Sequence, residues 1–152
     1  MMRSPESVVD EIKYWYEKYK VEDFIFYDDA LLVDAEKHAV PIFEGIINSG
    51  LNIRFHTPNA VHIRGISRET ARLMFRTGFK TLRLGLETAS FDTRAELDAK
   101  VTAEEFKRAV ICLKAAGFDQ NMIGAYLLAG LPGQDMGSIE NSINIVRQNN
   151  VT

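Results

Sequence analysis

A glycine and a glutamate near the end of one predicted strand are the residues best suited to ligand chemistry. In the stretch KTLRLGLETAS, leucines alternate with four other residues, Thr81, Arg83, Gly85 and Glu87. This alternation is typical of a β-strand with one aliphatic and one polar face. Glycine leaves the backbone bare, and the neighbouring carboxylate only accepts hydrogen bonds. We therefore expect Gly85 and Glu87 to contact a small polar ligand.

Two acidic residues and a glycine-rich segment also follow predicted strands. Asp28 and Asp29 come directly after the apolar run 24–27, where they can contact a ligand or cap the following turn. The segment GLPGQ, residues 130–134, follows the apolar run 122–129. Its glycines suit either a simple turn or a close approach of the backbone to a flat ligand. Both groups are therefore candidates for the same ligand site.

A further strand is predicted over residues 51–56, with a turn at residues 57–60. His56 and Asn59 fall where this strand is expected to end. They are candidates for substrate contacts, although a histidine in a loop more often makes only a structural hydrogen bond.

The elements that must position these residues alternate between helix and strand. Capping residues predict helix starts at Ser4, at Asp34 and at Thr102, where Glu105 completes a capping box. Three predicted helix ends share one pattern, a glycine followed by an apolar residue and then a strand: Gly50, Gly78 and Gly117. Such alternation needs crossover connections, so the sheet should be parallel with its helices outside. We predict an α/β fold with about four βα units and a single domain over residues 1–152.

The polar residues of the two middle strands bear on the architecture. Arg54, His56, Arg83 and Glu87 all lie opposite the aliphatic face. A partial TIM-like (βα) barrel with a polar interior explains this pattern, and an open sheet with one solvated face explains it equally well. In either fold we expect Arg54 and Arg83 to balance acids rather than to bind a ligand carboxylate.

Composition narrows the function classes. The 152 residues are 46% hydrophobic and carry a net charge of −3, as expected for a folded protein without bulk attraction to nucleic acid or membranes. No apolar run is long enough to span a bilayer and no signal peptide is evident, so we expect a cytoplasmic protein. The single Cys112 excludes an internal disulfide and any multi-cysteine metal site within these residues, so we assign no metal ligand here.

The segments FYDDAL, GLETAS and GLPGQD, in this order and spacing, resemble those of the radical S-adenosylmethionine superfamily. The likeness is closest to the group of oxygen-sensitive radical enzymes that includes several with cobalamin-binding domains. It covers nearly the whole chain, including the opening RSPESVVDEI. Each motif alone is weakly specific for the family, but the ordered set of three is fairly specific.

The resemblance implies a partial barrel that binds S-adenosylmethionine on a [4Fe–4S] cluster and cleaves it reductively to a 5′-deoxyadenosyl radical. Within it, Glu87 beside Gly85 would contact the ribose or methionine portion. Asp28 and Asp29 would lie at the mouth, near the methionine or the substrate. The adenine would lie along the backbone of three consecutive residues, Gly130, Leu131 and Pro132.

Two departures from the family pattern qualify this assignment. The family holds its cluster with a C-x₃-C-x₂-C loop, which these residues lack. We therefore expect the chain to be an internal fragment of a longer enzyme, incomplete at both ends and inactive alone, with the cluster held by residues outside it. Cobalamin is a further cofactor to consider in the parent. The second departure is Gln134, where the family more often has glutamate.

Three other functions remain open, and no catalytic residue is assigned under any of them. One is a non-radical barrel enzyme that binds an anionic or phosphorylated small molecule. Another is a receiver-like signalling module, suggested by Asp28 and Asp29, and the last is a scaffold that only binds. Because a partial barrel leaves apolar strand edges exposed, we also expect self-association, which light scattering would detect.

Overall fold

The computed structural model describes residues 3–28, 31–87 and 101–152, with only the backbone of Glu87. The helices in these ranges are α1 (Pro5–Tyr19), α2 (Ala39–Ser49), α3 (Arg68–Thr77), α4 (Ala103–Ala116) and α5 (Met136–Gln148), with a 3-10 turn at Ile63–Gly65. The strands are β1 (Asp23–Ile25), β2 (Arg54–Val61), β3 (Phe79–Glu87) and β4 (Ile123–Leu127).

The four strands form one parallel sheet in the order β1-β2-β3-β4. Crossovers between parallel neighbours are right-handed, so a sheet built in sequential order carries its helices on one side. Accordingly α1 packs on α2, α2 on α3 and α3 on α4. The predicted α/β fold is confirmed, and the strand order is that of a partial (βα) barrel.

The last residue of the chain is hydrogen-bonded to the outer edge of β4. The backbone amide of Thr152 donates to the carbonyl of Ile123 at 3.2 Å, and the amide of Ala125 donates to the carbonyl of Thr152 at 2.8 Å. One residue that bonds two residues on its neighbour, i and i+2, is the hydrogen-bond pattern of parallel strands. Thr152 is therefore hydrogen-bonded to the outer edge of β4 in the pattern of a parallel neighbour.

The core lies between the sheet and the helices. Alternate residues of β3 point into it, and Leu82, Leu84 and Leu86 are fully buried. Next to them, Phe55 and Phe79 pack with ring centroids 5.4 Å apart, and Phe43 meets Phe79 edge to face. This layer fixes which residues face the other way. We call the side of the sheet opposite the helices the open face.

Local signals for helix ends are confirmed where the structure describes them. Ser4 caps α1, and Thr102 and Glu105 form a capping box at α4. The helices α2, α3 and α4 end at Gly50, Gly78 and Gly117, which all adopt positive φ. Each local prediction succeeded because its signal and its partner lie within a few residues of each other.

Two predicted boundaries are wrong. Asp34 does not begin the second helix, which starts at Ala39 after a series of turns. The chain does not turn at residues 57–60, because β2 continues to Val61. Pro58 is accommodated there because the β2–β3 register shifts between His56 and Ala60. Among the described helices, none has the length and apolarity needed to cross a membrane.

Candidate functional site

Several of the candidate residues meet at the carboxyl edge of the sheet. Gly85 lies near the end of β3, Asn59 near the end of β2, and Gly130 three residues after β4. This edge carries the ligand sites of parallel barrels. Asp29 and the side chain of Glu87 lie outside the described residues.

Gly85 provides open space on the open face. Among the described residues, a Cβ atom built there would meet one neighbour within 4 Å, the Cβ of Ala60 at 3.3 Å. In the β3–β4 ladder Gly85 pairs with Tyr126, whose side chain is 46% exposed. The bare backbone of Gly85 therefore lies between Ala60 and a tyrosine, with room for a ligand.

Tyr126 links non-adjacent strands across this space. Its hydroxyl donates to the carbonyl of Pro58 at 2.6 Å, so a residue of β4 holds β2 across β3. Because the hydroxyl hydrogen already makes this bond, Tyr126 cannot donate it to a ligand at the same time. Tyr126 was not predicted to be a site residue, although it alternates with the core-facing Ile123, Ala125 and Leu127.

Asn59 continues the link to the first strand. Its side-chain amide donates to the carbonyl of Tyr27 at 3.0 Å, just beyond β1. Together, Tyr126 and Asn59 connect the carboxyl ends of three strands through the irregular part of β2. Asn59 has a structural bond here, and its predicted substrate contact remains a prediction.

Asp28 borders a different part of the molecule from Gly85. A cavity of about 600 Å³ lies at the outer edge of β1, and Asp28 lines it together with Arg3, Glu11 and His38. The remaining lining is mostly apolar, from α1, α2 and the first strands. Because β1 and β3 are separated by β2, about 10 Å divides this edge from Gly85.

His56 lies away from the carboxyl edge. It is the third residue of β2, so the prediction that it ends a strand is wrong. Its Nδ1 lies 2.9 Å from the Thr81 hydroxyl and its Nε2 lies 3.2 Å from an oxygen of Asp23. Both partners are near the amino ends of their strands, the side of parallel barrels that serves stability. This geometry indicates that the hydrogen bonds of His56 stabilise the sheet.

Arg54 is neutralised by acids in the same area. Its guanidinium makes two bonds of 2.6 Å to the carboxylate of Asp23 and a third of 3.3 Å to Glu22. The bidentate bond to Arg54, followed by the contact with His56, holds the pKa of Asp23 far below its usual range. The expectation that Arg54 balances acids is confirmed.

This pair predicts a pH dependence of stability. Because the folded-state pKa of Asp23 is depressed, its contribution is complete above the unfolded value of about 4 and declines as the pH falls below it. We expect the melting temperatures of wild type and Asp23→Asn to differ at pH 7 and to converge as the pH falls toward 2. A constant difference across that range would contradict the role of the ion pair.

The loop after β4 is organised by Gln134. Its side-chain oxygen accepts the backbone N–H groups of Gly130 at 2.7 Å and Leu131 at 3.2 Å. Its side-chain nitrogen donates to the carbonyl of Leu128 at 3.0 Å. Gly130 has φ +85, a conformation that L side chains rarely adopt. Gln134 therefore uses both ends of its amide to shape the segment that precedes α5.

Substitutions at Gln134 should separate the hydrogen bonds that its side chain accepts from the one that it donates. Glu at this position can still accept the two N–H groups but cannot donate to Leu128, whereas Ala loses all three bonds. We expect Gln134→Ala to speed hydrogen exchange at the amides of Gly130 and Leu131 by about tenfold, and Gln134→Glu to change it much less. Equal exchange in both variants would show that the loop does not depend on Gln134.

The residues present do not fit an iron–sulfur cluster. Cys112, the single cysteine, is half-buried in α4 and packs against the core. In the described ranges no three His, Cys, Asp or Glu side chains are grouped so that they could hold a metal ion. A cluster held by three thiolates therefore needs ligands from outside these residues.

Comparison with known proteins adds one match. The sequence profile of the Radical SAM superfamily matches residues 1–146, nearly the whole chain. A search of curated proteins finds no significant match. The family match spans all four strands and the loop shaped by Gln134.

Proposed function

Since the chain belongs to the radical S-adenosylmethionine superfamily, we propose that it forms the S-adenosylmethionine-binding part of an enzyme that generates a 5′-deoxyadenosyl radical. The observation that carries the proposal is the open space at Gly85, between Ala60 and Tyr126 at the carboxyl edge of the sheet. When bound, a [4Fe–4S] cluster supplies the electron for reductive cleavage, and its thiolate ligands would lie outside these residues.

The loop after β4 has hydrogen-bonding properties that suit adenine. The N–H groups of Gly130 and Leu131 are bonded to Gln134, and Pro132 has no N–H. The carbonyl of Leu131 accepts from the backbone of Gln134. Within residues 130–132, the backbone groups that have no bond to another described residue are therefore acceptors, the carbonyls of Gly130 and Pro132. An acceptor edge matches the exocyclic amino group of adenine, which donates hydrogen bonds.

Glu87 is proposed as the ligand for the polar half of S-adenosylmethionine. It is the last residue of β3, two residues after Gly85 at the carboxyl edge of the sheet. A carboxylate accepts hydrogen bonds from ribose hydroxyls and from an ammonium group. Asp28 and Asp29 remain candidates for contacts near the methionine or the substrate. Cobalamin remains a candidate cofactor of the parent enzyme.

Titration of the chain with S-adenosylmethionine, followed by NMR, tests the binding proposal. We expect saturable shifts at the amides of Gly85, Gly130 and Leu131. Glu87→Ala should weaken binding by about tenfold or more, while Glu104→Ala, an exposed position in α4, should not. If these amides do not respond at millimolar S-adenosylmethionine, the proposed function of this chain fails.

Catalysis is tested on a full-length protein that contains these residues and the cluster ligands. After anaerobic reconstitution with iron and sulfide, we expect a reduced sample to release 5′-deoxyadenosine from S-adenosylmethionine. Binding without release would favour a binding scaffold. A full-length protein that forms no cluster and leaves S-adenosylmethionine intact would favour a non-radical barrel enzyme that acts on an anionic small molecule.

Self-association is proposed for the isolated chain. In the described part of the sheet β1 pairs only with β2, so its outer edge has unpaired backbone groups. Ile25 is 55% exposed and Tyr27 70% exposed beside that edge. We expect the mass measured by light scattering to rise with protein concentration, and a constant monomer mass would contradict this.

A further inference from the structure

The two arginines of the open face have different environments, although the sequence pattern treats them alike. Arg54 has two carboxylate partners, Asp23 and Glu22. Arg83 has none within 4.0 Å among the described residues, and its one observed bond goes from Nη1 to the carbonyl of Leu82 at 3.1 Å. The expectation that both arginines balance acids therefore holds for Arg54 and is not met for Arg83 in this part of the chain.

The guanidinium of Arg83 lies in a space that the sequence keeps empty. Arg83 is half-buried and pairs in the sheet with Ala60 on one side and Gly124 on the other. A Cβ atom at Gly124 would lie 2.9 Å from Nη1, 3.0 Å from Cδ and 3.1 Å from Cζ of Arg83. Glycine at position 124 therefore permits the guanidinium to lie flat along β4.

A half-buried guanidinium that makes one hydrogen bond within the described part of the chain has donors available to bind an anion. Arginine has five N–H groups in a planar fork, and the fork matches the two oxygens of a carboxylate. Leaving such a cation without an anionic partner costs free energy that a bound carboxylate would recover. Two residues further along the same face, Gly85 leaves room for the body of a ligand.

We propose that Arg83 is a carboxylate-binding residue on the open face, that Gly124 makes space for its guanidinium, and that Gly85 makes space for the ligand. The ligand class is a small molecule with a carboxylate group. Tyr126 lies two residues after Gly124 in β4 and forms one wall of this site. Its hydroxyl donates a hydrogen bond to the carbonyl of Pro58. The site itself stands on the geometry of the sheet, and its use in catalysis rests on the proposed function.

The carboxylate has two chemical sources in a radical S-adenosylmethionine enzyme. One is the methionine moiety of S-adenosylmethionine, and the other is a second substrate. Both would present the same planar pair of oxygens to Arg83. The experiment therefore first asks whether Arg83 binds a carboxylate and then which molecule supplies it.

The direct test follows the Nε–Hε signals of arginine side chains by NMR while acetate replaces chloride at constant ionic strength. Arg83→Lys and Arg54→Lys assign the two signals. We expect the Arg83 signal to shift and saturate, with an apparent affinity about tenfold higher than that of Arg54, whose donors Asp23 already occupies. An Arg83 signal that does not shift, or that shifts only as the Arg54 signal does, overturns the proposal.

A matched pair of glycine variants tests the space for the guanidinium. Gly124→Ala displaces the end of a flexible side chain, so we expect the protein to fold and the acetate response of Arg83 to weaken several-fold. Gly137 lies in α5, where a Cβ atom built on it would meet its nearest described neighbour, Oδ1 of Asp135, at 3.6 Å. Gly137→Ala should therefore leave that response unchanged. Equal responses in the two variants would show that Gly124 does not shape the site.

Saturating S-adenosylmethionine then identifies the source. If it shifts the Arg83 signal and blocks acetate, the carboxylate belongs to the methionine moiety. If it binds at Gly85 and Gly130 while Arg83 still responds to acetate, the carboxylate belongs to a second substrate. A failure of the proposed function looks different, because then S-adenosylmethionine moves neither Gly85 nor Gly130, whatever acetate does at Arg83.

Discussion

Replacing Gly85 with leucine is expected to abolish S-adenosylmethionine binding while the chain still folds. The new side chain would fill the space between Ala60 and Tyr126, where a Cβ atom already lies 3.3 Å from that of Ala60. A strand position on the open face tolerates an apolar side chain, so we expect the free energy of unfolding to change by about 1 kcal/mol. Isothermal titration should show a loss of affinity of about a hundredfold or more, because the ligand would have to displace a packed side chain.

Thr81→Val is the matched control for Gly85→Leu. Thr81 lies on the same face of the same strand, but toward the amino end, where its hydroxyl contacts His56 at 2.9 Å. We expect the valine variant to bind S-adenosylmethionine like wild type despite the lost hydrogen bond. If Gly85→Leu binds S-adenosylmethionine normally, the open space at Gly85 is not the ligand site.

Replacing Gly78 with alanine is expected to cause a large loss of stability. Gly78 ends α3 with φ +103, and a Cβ atom there would lie 2.5 Å from the carbonyl oxygen of Ile53. The neighbour is backbone, next to β2, so it cannot move aside without shifting the strand. We expect unfolding to become easier by at least about 3 kcal/mol, from the strained φ together with the clash. The corresponding fall in melting temperature is about 6–12 °C.

Gly50 offers a control that separates strain from clash. It ends α2 with φ +66, yet no atom of the described residues lies within 4 Å of a Cβ atom built on it. Gly50→Ala should therefore cost only the left-handed conformation, about 1 kcal/mol. The difference between the two variants in urea unfolding measures the contact with Ile53. If the two variants lose the same stability, β2 shifts without cost and the contact with the Ile53 carbonyl does not contribute to the loss.

Residue by residue, the open face shows how much function depends on register. Gly85 and Glu87 were predicted from alternation alone, and the structure places Gly85 at the carboxyl edge as expected. His56 was predicted to reach the same edge, but β2 runs five residues beyond it. The sequence contains no local signal for this extension, because Pro58 and Asn59 are typical turn residues. Pairing with β3 and the bond from Tyr126 keep that segment in the sheet.

The sequence by itself determined what depends on neighbours along the chain. Helix starts at Ser4 and Thr102 and helix ends at Gly78 and Gly117 follow from hydrogen bonds and φ preferences within one turn. The alternation of leucines in β3 follows from the two faces of a strand. The repeated order of helix and strand required parallel pairing, and so predicted the fold class.

Only the tertiary structure decided the different surroundings of residues that the sequence pattern treats alike. Arg54 and Arg83 have the same residue type and the same predicted face, yet the pairing of β2 with β1 brings Asp23 to Arg54, and the pairing of β3 with β4 brings Gly124 to Arg83. One guanidinium is thereby neutralised, while the other has no carboxylate within 4.0 Å in the described residues. The physical reason is that strand neighbours are set by long-range register, which no local pattern contains.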